Sequence, residues 1–190
     1  MSIEIVLTIL NCTFGNIKAL NMINSDGSAV NDKDSRQEQP VKIILAEDDK
    51  DDQELFIEAL SAAQVSSEVR TVDNGGELID SLKDQAEPTP DIIFMDINMP
   101  VKSGKEALAE IKNDHELKDI PVVMLSTSDH PKDIEDTFNI GADLYIQKPN
   151  SFNGFIRILK KVFNLHWTKG LLSPLKNLFF ISEKNISQRD

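Results

Sequence analysis

The chain has 190 residues, 40% of them hydrophobic, a single cysteine and a formal net charge of -12, which suits one domain of ordinary size with tails, or two very small ones. That charge argues against direct nucleic-acid binding, which needs Lys and Arg to displace counterions from the backbone. Cys12 alone excludes an intrachain disulfide and a multi-thiolate zinc site, and fits a reducing, cytoplasmic location.

In chain order, "MSIEIVLTIL" is apolar but short, and carries Glu4 where a signal peptide has a basic region. Residues 1–23 suit a short strand or helix without a clean period. Residues 24–40 are polar and rich in turn formers, which reads as a disordered linker. Met22 precedes that linker and offers an alternative translation start to Met1. No stretch approaches the ~18 consecutive apolar residues of a membrane-spanning helix.

From Val41 the texture changes. "VKIILA" reads as a buried strand, and "DQELFIEALSAA" as a helix with Leu55, Phe56, Ala59, Leu60 and Ala63 on one face. "SEVRTV" is a strand, "GGELIDSLK" a helix, "DIIFMD" a strand and "GKEALAEIK" a helix. "IPVVMLS", "KDIEDTFNI", "DLYIQ" and "FIRILKKVF" continue the alternation as strand, helix, strand, helix. Five strands alternating with five helices over residues 41–164 predict an α/β fold, a doubly wound parallel sheet with helices on both faces. Residues 165–190 form a tail. Its Leu171, Leu172, Leu175, Leu178 and Phe179 have roughly helical spacing, with Pro174 near a helix start. That tail reads as a helix packed back on the domain, a poorly ordered segment, or a partner-docking helix.

Ligands of a doubly wound sheet bind beyond the carboxyl ends of its strands. The first strand runs into Glu47, Asp48 and Asp49. The third ends at Asp96, the fourth at Ser126, Thr127 and Ser128, and the fifth runs into Lys148 and Pro149. Several ionised carboxylates crowd together only with a cation, and Lys148 supplies one charge. A hard divalent ion with oxygen ligands, such as Mg²⁺, resolves the repulsion. A carboxylate nucleophile, a metal, a lysine and a hydroxyl together suit phosphoryl transfer onto Asp96. Asp49, Asp51 and Asp52 read as a helix start, where carboxylates favour the positive end of the dipole. His115, His130 and His166 lack metal-ligand spacing and read as surface residues.

"ILAEDD", "DIIFMDINMP", "VKSG", "PVVMLSTS" and "GADLYIQKP", in this order, resemble the receiver domain of two-component response regulators, of the chemotaxis-receiver-like, stand-alone type. The resemblance covers residues 41–164 and implies five parallel strands in the flavodoxin-like order 2-1-3-4-5. It implies Asp96 as phosphoacceptor, and Glu47, Asp48, Asp96 and the Asn98 backbone carbonyl as the Mg²⁺ site. Lys148 contacts phosphate, and Ser126 is the switch hydroxyl. Tyr145 is the aromatic switch, or else a half-buried strand aromatic. Gly104 falls where a positive φ is easy, and Pro149 where the family often has a cis peptide. Thr127 is larger than the residue often found there, and bears on the lifetime of the phosphorylated form. "MPVKSGKEALAEIK" is similar to receivers that partner bacteriophytochrome-type kinases.

The implied partners are a sensor histidine kinase or phosphotransfer protein, and a downstream protein at the face of the fourth helix, fifth strand and fifth helix. A homodimer through that face is also open. No effector domain, direct nucleic-acid contact or membrane contact is expected, and no activity beyond the domain's own phosphorylation and dephosphorylation. Haloacid-dehalogenase-type phosphatases share the chemistry, but usually carry the nucleophile on the first strand in a D-x-D pattern. A binding module with a dead site is disfavoured by the intact acid set.

Overall fold

A computed structural model describes residues 39–164 and 179–186. All of them fall in one compact unit, Glu38–Asp190. The strands are β1 (Val41–Ala46), β2 (Ser67–Val72), β3 (Ile92–Asp96), β4 (Val122–Ser126), β5 (Leu144–Gln147) and β6 (Phe180–Ile181). The helices are α1 (Lys50–Ala62), α2 (Gly75–Lys83), α3 (Gly104–Asn113), α4 (Pro131–Ile140), α5 (Phe152–Phe163) and the single turn α6 (Glu183–Ile186). Helix starts follow the short polar residues that can satisfy first-turn amides. Asp49 accepts from the amides of Asp51 and Asp52, Asn74 from those of Gly76 and Glu77, and Ser103 forms a capping box with Glu106.

The sheet is parallel throughout, in the order β2-β1-β3-β4-β5-β6. Its first five strands follow the expected 2-1-3-4-5 order, and the sixth corrects the expected count. Because β3 and β4 are buried along their whole length, alternate side chains feed two cores. On one face Ile43, Leu45, Phe94 and Val123 pack with Phe56 of α1 and Ile158 of α5, and the Phe56 and Phe94 rings meet edge-to-face at 4.9 Å. On the other face Ile44, Met95, Met124 and Tyr145 pack with Leu78 of α2 and Leu108 of α3.

The tail contributes a strand where helical spacing was expected. Phe179, Phe180 and Ile181 are aromatic or β-branched and suit a pleated, half-buried surface. The Tyr145 amide donates to the Phe179 carbonyl at 2.7 Å. Phe180 then pairs with Tyr145, and Ile181 with Ile146. Glu183 of α6 ties the segment to α5 by accepting from Ser151 Oγ at 2.6 Å and pairing with Arg157 at 3.2 Å. The leucines at 171, 172, 175 and 178, residues 1–38 with their expected linker, and His166 lie outside the described residues. No helix among the described residues is long and apolar enough to cross a membrane.

Candidate functional site

Parallel pairing places the ends of β1, β3, β4 and β5 on one edge, where Glu47, Asp48, Asp96 and Lys148 meet. The Glu47 amide donates to the Val72 carbonyl of β2 at 3.0 Å, which fixes the first residue beyond β1. Glu47 is buried, while Asp48, next to it, is exposed. Asp96 closes β3 and is nearly buried at 9% exposure. One oxygen from each of Glu47, Asp48 and Asp96 lies within 4.8 Å of the others. All three donors in this set are hard oxygens, two on buried residues and one open to water, which fits a small divalent cation that keeps part of its hydration shell. Asn98, two residues beyond Asp96, is exposed beside this cluster.

Lys148 enters from β5. Its amide donates to the Ser126 carbonyl at 2.7 Å, fixing the lysine backbone beside β4. Its Nζ lies 2.6 Å from Glu47 Oε2, 2.7 Å from Asp52 Oδ2 and 3.8 Å from Asp96 Oδ2. Asp52 therefore joins the site. Its position in the first turn of α1 is accounted for by the helix dipole alone, so the sequence offered no separate signal for a lysine contact.

Burial sets the protonation of these groups. Removal from water pushes the Glu47 carboxyl up to about 7, against the opposing effect of Lys148, with the charges of Asp96 and Asp52 adding to the rise. Burial also raises Asp96, partly offset by Lys148 and by the amides of Ile97 and Asn98. Burial alone would lower the Lys148 ammonium, but hydrogen bonds to Asp52 and Glu47 outweigh it and the net shift is upward.

The β3–α3 loop is closed by the Gly104 amide donating to the Ile97 carbonyl at 2.9 Å. Gly104 corrects one expectation, since it is not among the positive-φ residues. Its requirement is space: a Cβ there would lie 2.0 Å from the Asp96 carbonyl oxygen. The positive φ in this loop belongs to Val101, at 64°. The Lys102 amide donates back to the Pro100 carbonyl at 2.7 Å, the two-residue closure of a strained γ-turn. The cis peptide expected at Pro149 is also corrected, as this bond is trans. The trans form is the default for X–Pro bonds by ~0.5–1 kcal/mol, and the backbone pairing of Lys148 is made with it in place.

Ser126 is fully buried, and its hydroxyl accepts from the Ser128 amide at 3.1 Å. Tyr145 is fully buried rather than half-buried, with its hydroxyl donating to the Ser128 carbonyl at 2.8 Å. Ser128 Oγ donates to Asp133 of α4 at 2.9 Å, and Lys105 of α3 bridges Asp133 and Asp136 at 2.8 and 2.9 Å. Ser126 and Tyr145 thus share one loop residue.

A doubly wound sheet with an acidic cluster, a lysine and a buried hydroxyl at its carboxyl edge defines the receiver class of signalling domain. The sequence model of the response regulator receiver domain matches residues 43–160, and the chain belongs to that family. It is therefore a receiver module of two-component signal transduction. Response regulator Rcp1 of Synechocystis sp. is 32% identical over 127 residues, spanning 65% of this chain and 86% of Rcp1. A crystal structure of the phosphorylated cyanobacterial phytochrome response regulator RcpA is 40% identical, with a TM-score of 0.62 over 67% of this chain and 94% of that one. Rcp1 in its Mn²⁺-bound form superposes with a TM-score of 0.62 at 30% identity, over 70% of this chain and 99% of Rcp1.

Proposed function

We propose that this chain accepts a phosphoryl group on Asp96 from a phosphohistidine of a sensor kinase or phosphotransfer protein in the cytoplasm. An Asp96 carboxylate oxygen attacks phosphorus as the P–N bond breaks. The electron pair leaves with the imidazole, which takes up a proton. Glu47, Asp48, Asp96 and the Asn98 carbonyl would hold Mg²⁺, which when bound spreads the negative charge of the transferring group. Lys148 supplies a second positive charge beside the acceptor, and the Ser126 hydroxyl donates to a phosphoryl oxygen. The chain's own reactions end with formation and hydrolysis of this acyl phosphate.

The observation that carries the reading is the convergence of Glu47, Asp48 and Asp96 within 4.8 Å, with Lys148 3.8 Å from Asp96. Output follows from a shift between two packings of α4, β5 and α5, linked to Ser126 through the loop residue it shares with Tyr145. A downstream protein or a second copy then reads that face. RcpA, a phytochrome response regulator by name and 40% identical to this chain, supports a kinase of the phytochrome class as donor.

The test is intact-protein mass after incubation with acetyl phosphate. A single Mg²⁺-dependent phosphoryl adduct, missing in Asp96→Asn, is the expected result. A folded wild-type chain that takes no adduct overturns the reading.

A further inference from the structure

Asp52 is an acid that neither helix capping nor the metal cluster uses. Asp49 caps α1, and the clustered carboxylates are Glu47, Asp48 and Asp96. The Asp52 carboxylate instead lies 2.7 Å from the Lys148 ammonium, while Asp96 stands off at 3.8 Å, beyond hydrogen-bond reach. An ammonium has three donors. Glu47 and Asp52 engage two of them through short bonds. The Lys148 backbone is held by Ser126, so only the side chain is free to change partners.

We propose that Asp52 is a positioning residue for phosphoryl transfer, one that parks the Lys148 ammonium on the α1 side of the site and off Asp96. This rests on the receiver reading above. A phosphoryl group on Asp96 carries about -1.5 to -2 charges against the single charge of Asp52. It therefore draws the ammonium across when it arrives, and Asp52 takes it back on hydrolysis. Parking sets a threshold: the lysine commits to the acceptor only when a dianion is present, and the resting Asp96 feels the ammonium at 3.8 Å without a hydrogen bond to it. Because Asp52 is partly exposed, at 39% of its side chain, the energy at stake is that of a surface pair, about a three- to fivefold effect.

The experiment compares the wild type with Asp52→Asn, Asp52→Glu and Asp51→Asn. Three quantities are read: the labelling rate by acetyl phosphate, the affinity for beryllofluoride in saturating Mg²⁺, and thermal stability. Asp52→Asn is expected to label about three- to fivefold faster and to bind beryllofluoride tighter by a similar factor, at unchanged Tm. Asp52→Glu restores wild-type behaviour. Asp51→Asn removes the same charge from the same turn without touching Lys148, and leaves all three readings as in the wild type. Equal or slower labelling in Asp52→Asn overturns the inference while the receiver reading stands. Equal gains in Asp51→Asn also overturn it, in favour of a general charge effect. A wild type that takes neither acetyl-phosphate label nor beryllofluoride brings down the receiver reading, and this inference with it.

Discussion

At the carboxyl edge of the sheet, Glu47, Asp48, Asp52, Asp96 and Lys148 meet within a few ångströms of one another and of water. Along the outer side of β5, the Tyr145 ring is closed in by Phe179 and Phe180, at centroid distances of 6.4 and 5.9 Å, and Phe179 meets Phe138 of α4 edge-to-face at 5.0 Å. The first region is held by compensation among charges, and its burden is desolvation, visible in the raised carboxyls of Glu47 and Asp96. The second is held by removal of apolar surface from water, with the backbone pairing of β5 and β6 to set its register. A substitution at the edge therefore changes chemistry more than stability. One on the flank does the reverse.

The sharpest way to break this contrast is Phe179→Ala. Phe179 is 2% exposed, and truncating a buried phenylalanine costs about 3 kcal/mol. Only a short segment depends on it, so the loss shows first as local opening of β6. Hydrogen exchange at the Tyr145 amide, which donates to Phe179, is expected to speed up by roughly a hundredfold. Labelling of Asp96 by acetyl phosphate should persist within about twofold. A parallel collapse of labelling would mean that edge and flank act as one unit.

The two regions also differed in how far the sequence disclosed them. "AEDD", "FMD", "LSTS" and "QKP" each put chemistry at the end of an apolar run, and parallel strands bring such ends together. The first five strands and the convergence of Glu47, Asp48, Asp96 and Lys148 follow from that rule. β6 was hidden because two residues of strand have no period of their own, while the leucines upstream imposed a helical reading on the tail. The lysine contact of Asp52 was hidden behind a complete local explanation as a first-turn acid. Gly104 was noticed, but its reason was not: only the folded loop brings the Asp96 carbonyl against its Cα.

The charged edge should respond to pH where the flank does not. The Glu47 carboxyl sits near 7 in the metal-free protein, well above its ordinary value of 4.5. Its folded pKa is raised, so the protonated form is the one the fold favours. The metal-free protein therefore loses stability as pH rises from the ordinary value through about 7. Mg²⁺ needs the carboxylate, so its affinity moves the other way. Calorimetric titration is expected to show binding about tenfold weaker at pH 6 than at pH 8, with close to one proton released per ion at pH 6 and almost none at pH 8. Glu47→Gln should flatten that dependence. A pH-independent affinity in the wild type would place Glu47 outside the metal's reach.

Val101 gives the smallest effect, and one of opposite sign. It is 91% exposed and holds φ at 64°, a conformation that costs an L-residue roughly 1–2 kcal/mol, and a β-branched one at the upper end. No buried apolar surface repays that cost at this position. Glycine adopts the same φ without strain, but its unfolded chain has more freedom to lose, which takes back about 0.5–1 kcal/mol. Val101→Gly is therefore expected to stabilise the domain by about 1–1.5 kcal/mol in urea unfolding. The loop is already closed by the Gly104 and Lys102 amides, so the geometry around Asp96 stays as it is and labelling is unchanged. A loss of stability would instead mean that the exposed valine holds the loop by contacts that outweigh its strain.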